Sequence, residues 1–334
     1  MNEKLKKEFV AQYSESPATR KLAQSTLRLL APFEREWGMD YTLQSLPELE
    51  SAVNQIIGVR RQSAKVAMTI LQKYAQWRKD NGHPTGDAIF SVELDTINQM
   101  RQHMVSSPTH LKMILDAAFD PPTMETADCV YRALLWMGFA GLTATESVQV
   151  RAEDVRMQDM TILYEGIEHP IYREAISDFE NARSLDSFVD IKLRDGNAIY
   201  RRIKRAEGTE ILRGKSNTRT KPPEQMIRST FRPMLARKLA EAEKRNDNLD
   251  QPANLSFDIS YDRVYMSGIF YRAYEKERFG ISADFVEQAK RELERRKKRM
   301  QPKSITPRYE QKTLQTVIHD YKQDYEAWKK AFEV

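Results

Sequence analysis

Apolar residues recur at three- and four-residue intervals through the first 80 positions, and turn chemistry cuts the runs at Gly38, Gly58 and Asn81-Gly82-His83-Pro84. A period near 3.6 demands helices with one apolar face, and the cuts keep them short, so this segment must fold as a bundle. Ser16-Pro17 reads as a cap followed by proline in the first turn, where the missing N–H costs nothing. From there Leu22, Thr26, Leu29, Leu30, Phe33 and Trp37 are expected on one inward face that ends at Gly38. A shorter helix is expected from Leu46 to Ile57 with Leu49, Val53, Ile56 and Ile57 inward, and a fourth uses Val66, Ile70, Tyr74 and Trp77.

Beyond residue 82 the pattern is mixed. A connector rich in turn residues leads to helices expected around 110–119 and 125–138. Ile162-Leu163-Tyr164 and Phe188 to Leu193 are short and β-branched or aromatic, as strands are. Long helical segments dominate from about 223 onward. The last is amphipathic through Leu314, Val317, Ile318, Tyr321, Tyr325, Trp328 and Phe332. The expected class is mainly α with a small β-sheet, and 334 residues suffice for two domains of roughly 100–200 each.

Several chemistries are excluded by what is missing. The single cysteine, Cys129, allows no intramolecular disulfide and no cysteine-rich zinc site, and its apolar helical run suits a buried, inert thiol. The five histidines make no metal-ligand spacing, Arg213-Gly214-Lys215-Ser216 lacks the glycine spacing of a phosphate-binding loop, and there is no Gly-x-Ser-x-Gly elbow. No metal and no cofactor is implied. No apolar run approaches the ~18 residues of a membrane helix, and the charged start lacks a signal peptide's apolar stretch, so no membrane partner and a cytoplasmic location are expected.

Charge is what points to a partner. The net is only +5, yet residues 83–191 hold 7 Lys/Arg against 18 Asp/Glu, whereas 192–232 hold 12 against 4 and 290–312 hold 10 against 3. Separate basic blocks build local fields that a polyanion can follow. Arg201, Arg202, Lys204 and Arg205, continuing through Arg213, Lys215, Arg219 and Lys221, mix cations with Ser, Thr, Asn and Gly that hydrogen-bond phosphates or base edges. Arg228 and Arg232, four apart, extend that surface along one helix face. In the N-terminal segment Arg20, Lys21, Arg60, Arg61 and Lys65 fall at helix starts, where free N–H groups also reach phosphate. The bland alternative for each run is a solvated face, and Lys290 to Arg299, with Glu292 and Glu294 interspersed, suits a solvated helix.

Two stretches carry a family likeness. Ser16-Pro17-Ala18-Thr19-Arg20-Lys21 leads to Phe33 and Trp37, and Arg61-Gln62-Ser63-Ala64-Lys65 leads to Tyr74-Ala75-Gln76-Trp77 and Asn81-Gly82. The apolar run from Leu134 continues into Gly141-Leu142-Thr143-Ala144-Thr145-Glu146-Ser147 and ends in Glu153-Asp154-Val155. This resembles the tyrosine recombinase, or phage integrase, family. The first stretch is similar to its helical core-binding domain, and the second to its first catalytic box, an apolar helix followed by Gly-Leu-Arg-x-Ser-Glu. The resemblance implies a two-domain tyrosine-recombinase-like architecture: a helical (SAM-like) core-binding domain at 1–82, a connector at 83–108, and a mixed α/β catalytic-like domain at 109–334 that ends in the amphipathic helix. It also implies double-stranded DNA as partner and a homo-oligomer formed through the C-terminal helix.

The family's first arginine falls on Thr143, which also makes a local Thr-x-x-Glu capping box with Glu146. The second box, His-x-x-Arg, falls on Ser260-Tyr261-Asp262-Arg263, with Ser260 in the place of histidine. Two arginines normally give fixed donors to the charge that develops on phosphate, and threonine cannot. Arg263 and Tyr309 are the candidate remnants, with a carboxylate partner as the bland role for Arg263 and phosphate contact for Tyr309; Tyr321 and Tyr325 suit core packing, and the family's hairpin lysine corresponds to Lys192 or Lys204. The leading expectation is a sequence-specific duplex-DNA binder of phage or mobile-element origin, a transcriptional regulator or repressor without catalysis. The alternatives are an active site-specific recombinase with divergent motifs and an interaction protein that uses the same helices without DNA.

Overall fold

In a computed structural model the described residues are 3–56, 61–121, 126–194, 197–205, 208–213, 225, 227, 231–246, 257–299 and 307–334, with backbone alone at 61–63, 190–194, 197–200, 246, 296–299 and 307–312. They are mainly helical with small antiparallel sheets, as composition and periodicity predict. The chain divides into two compact units, Met1–Met100 with Phe285–Glu333, and Arg101–Asp284. The tail therefore belongs with the N-terminal helices, which differs from the division expected at 82 and 109.

In the first unit, α1 (Glu3–Tyr13), α2 (Pro17–Leu29), α3 (Ala31–Trp37), α4 (Leu46–Ile56) and α5 (Arg61–Asp80) surround a core that includes Phe9, Leu27, Tyr41, Leu49, Val53, Leu71 and Tyr74. The Ser16 hydroxyl accepts the Thr19 N–H and Pro17 opens α2, as the cap predicts. The single long face expected from Leu22 to Trp37 is not formed. Pro32 enters at the start of α3, where its ring would meet the residue-28 carbonyl of a continuous helix, so the chain re-caps at Leu30. Leu22 and Leu29 turn outward, as does Val66 on α5.

The tail adds α14 (Val286–Arg299) and α15 (Pro307–Phe332). Val317, Tyr321, Tyr325 and Trp328 are buried. Phe285 stacks on Tyr321 at 5.7 Å and meets Tyr325 edge-on at 5.5 Å.

The second unit is built around α9 (Asp128–Ala140), buried on nearly every side. It follows α7 (Thr96–His103, shared with the first unit) and α8 (Pro108–Ala118), and it is flanked by α11 (Ile176–Ser184), α12 (Arg232–Asn246) and α13 (Tyr261–Arg278); α6 (Ala88–Ser91) and α10 (Ala144–Ser147) are single turns. Gly268 on α13 meets α9 backbone to backbone, since a Cβ there would overlap the Phe139 carbonyl. On α9's other side the fully buried Asp178 carboxylate accepts from Arg132 Nε at 2.6 Å and Trp136 Nε1 at 2.7 Å.

Strands β1 (Val155–Arg156), β2 (Thr161–Tyr164) and β3 (Ile167–Pro170) form one antiparallel sheet, with Ile162 opposite both Val155 and His169. Glu165 and Gly166, both at positive φ, make the two-residue turn that suits a right-twisted hairpin. β4 (Ser187–Arg194) and β5 (Asn197–Lys204) form a separate two-stranded hairpin, with Ser187 opposite Lys204 and Arg194 opposite Asn197.

Candidate functional site

The two sequence boxes meet in space. The Thr143 hydroxyl caps α10 by accepting the Glu146 N–H at 3.4 Å, and the Glu146 carboxylate accepts the Thr143 N–H at 2.6 Å, closing the predicted capping box. Ser260 caps α13 in the same way, accepting the Arg263 N–H at 3.3 Å. Between them lies Tyr261, whose hydroxyl donates to the Leu142 carbonyl at 3.0 Å and lies 2.5 Å from the Ser147 hydroxyl. Burial holds this phenol well above the ordinary tyrosine range. Gly138 gives its ring room, because a Cβ there would lie 2.9 Å from the ring's Cζ. Threonine and serine thus spend their oxygens on helix ends, and neither supplies a cation.

Arg263 is held at the edge of this junction. Its guanidinium donates to Asp258 Oδ1 at 3.0 Å and lies 3.0 Å from His103 Nδ1, which is itself 2.9 Å from Asp258 Oδ2. The His103 hydrogen bond holds the Asp258 carboxyl below its ordinary range against the opposing effect of burial, and Arg263 adds to it. Arg263 thus takes the carboxylate partner expected of it, whereas His103, which stands 155 residues before Asp258, had no signal in the sequence. Tyr309 lies on α15 with its side chain outside the described residues. Tyr321 and Tyr325 are core residues of the first unit, as their spacing predicts.

The hairpin carries the cations. Arg201, Arg202 and Lys204 are exposed on β5. Alternation along the strand puts Arg202 and Lys204 on one face and Arg201 on the other, so both faces of the ribbon are basic. Arg202 donates to the Ser187 hydroxyl across the ladder at 2.9 Å, and Lys192 lies on β4 opposite Ile199.

Arg205, expected to contact DNA with its neighbours, is instead buried. Its guanidinium donates to the carbonyls of Leu185 at 2.7 Å, Ala182 and Ile211, and desolvation brings its pKa down to about 10, still charged at neutral pH. Strand alternation fails here because β5 ends at Lys204 and the next residue turns inward. Arg213, also expected on the DNA-facing surface, turns inward as well. It is largely buried and donates to the Gly208 and Leu185 carbonyls at 3.0 and 3.2 Å. Together these arginines lash the foot of the hairpin to the end of α11.

Of the other expected contacts, Arg20 and Lys21 lie in the first turns of α2, and Lys65 is exposed on α5. Arg61 opens α5 with only its backbone described. Arg232 opens α12 and pairs with Asp262 at 3.3 Å, both side chains exposed. Arg60, Lys215, Arg219, Lys221 and Arg228 lie outside the described residues.

Among the described residues no group of three His, Cys, Asp or Glu side chains is placed to hold a metal, and no helix is long and apolar enough to cross a membrane. The chain matches no protein-family model, and no curated protein matches it either.

Proposed function

We propose that this chain is a sequence-specific duplex-DNA-binding protein of mobile-element origin, a transcriptional regulator built on a tyrosine-recombinase scaffold that does not cut DNA. The observation that carries the reading is the β4–β5 hairpin, a two-stranded ribbon with exposed Arg201, Arg202 and Lys204 on its two faces. Such a ribbon fits the major groove, where an arginine fork pairs with guanine and lysine meets phosphate. Lys21, Lys65 and Arg20 in the first unit supply further phosphate contacts.

Affinity for the target duplex is expected to fall steeply with salt. Roughly 6–10 phosphate contacts lower affinity on the order of 10³–10⁵-fold between about 50 and 200 mM. Retention of genomic fragments measured across that range checks it, and a flat log–log plot sinks the reading.

The absence of strand cleavage rests on the caps at Thr143 and Ser260. Losing one fixed donor from a preorganised site costs about 10²–10³ in rate. A nicked duplex carrying the bound site is expected to trap no covalent adduct with the native chain. Thr143→Arg should trap none either, because it breaks the α10 cap while Ser260 still stands where a histidine is needed. An adduct that disappears in Tyr309→Phe, Tyr321→Phe or Tyr325→Phe would promote the recombinase reading instead.

A further inference from the structure

The first unit contains a cavity of about 340 Å³ between α1, α2 and α3, within the size range of small-molecule sites. Val10, Leu27 and Ala31 supply an apolar floor. At the back, Lys6 is consumed by an ion pair with Glu34, a fully buried carboxylate that also accepts the Tyr41 N–H at 3.2 Å.

The rest of the rim is differently occupied. Lys7 and Arg28 are exposed and enter no ion pair among the described residues, and Arg20 reaches only the Glu15 backbone carbonyl at 3.5 Å. Glu3 is the one other acid in the lining. Three cations above an apolar floor, with the deeper lysine already neutralised, select a ligand with a negative head at the mouth and an apolar body inside.

We infer that this cavity binds a small amphipathic carboxylate, an apolar chain whose head lies against Lys7, Arg20 and Arg28. A volume in that range, floored by apolar side chains, suits a short alkyl chain rather than a bare ion, and a medium-chain fatty acid is the probe chosen. An inorganic anion would leave the floor empty, and a cationic amphiphile would meet the wrong rim.

Titration calorimetry of the full chain with decanoate, below its aggregation concentration and without DNA, tests this. The expected result is saturable one-to-one binding, weakened at least about tenfold in the Lys7→Glu, Arg28→Glu double variant, with decylamine and inorganic phosphate unbound. Ala11→Phe keeps every charge and fills the mouth from an exposed position, so it should abolish binding while the melting temperature stays as in the native chain. No saturable decanoate binding would overturn the inference. So would binding that survives both variants, or equal binding of decylamine. A rim that serves only DNA would lose duplex affinity in the double variant while the native chain ignores decanoate, and that result also overturns it without touching the hairpin reading.

Discussion

Exchanging Arg201, Arg202 and Lys204 together for glutamate should weaken retention of the target duplex by on the order of 10³-fold or more, taking about 1.5 kcal/mol for each charge-assisted hydrogen bond removed. Exchange for glutamine should flatten the log–log salt dependence by about 0.9 for each phosphate no longer neutralised. All three side chains are exposed, and β5 pairs with β4 through its backbone, so the fold should survive. A circular dichroism melt unchanged from the native chain checks that. Arg205→Met is the contrasting variant. It removes a guanidinium that satisfies three backbone carbonyls and should loosen the hairpin's foot, so its weaker affinity would come with a lower melting temperature. If the triple glutamate variant is folded and still retains duplex, the hairpin is not the DNA-binding surface.

Gly268→Val should have the largest effect on stability. The neighbour that a Cβ at this position meets is the Phe139 carbonyl, carbon and oxygen alike, and no side-chain rotation relieves an overlap with backbone. α9 and α13 would have to separate along their crossing. Ordinary overpacking costs about 1–3 kcal/mol; an overlap with backbone should exceed that range, a large share of the roughly 5–15 kcal/mol that holds a domain together. Near-ultraviolet circular dichroism and a thermal melt read the outcome, and a native-like melt would show that the two helices do not cross this closely. Because α13 begins at Ser260 and Tyr261, the same change should also pull the α13 start away from Leu142 and Ser147.

Local chemistry was legible in the sequence because it is decided within a few residues. The caps at Ser16 and Thr143 and the strand at Ile162 to Tyr164 needed no knowledge of distant partners. Misreadings occurred where packing decides. Leu22, Leu29 and Val66 have the spacing of a buried face, but Pro32 ends the helix early and the bundle buries a different stripe. Arg205 sits one residue past exposed Lys204 in an apparently uniform basic run, and only the folded loop reveals three carbonyls waiting for its donors. His103 and Asp258 meet across 155 residues with no pattern linking them. The basic character of the hairpin could be read directly; which of its arginines hold the scaffold could not.

The placement of Phe285–Glu333 with the first hundred residues has a consequence for synthesis. The second unit is an insertion within the first, so it has emerged in full while the tail of its host is still being made. Domains fold as units during translation, and this one can close around α9 before Trp328 exists. The host then finishes last, by bringing α15 to α5 across more than two hundred intervening residues, a long-range closure of the kind that slows folding. Until that step the apolar surface that receives the Tyr321, Tyr325 and Trp328 stripe stays uncovered, the condition under which incomplete chains aggregate.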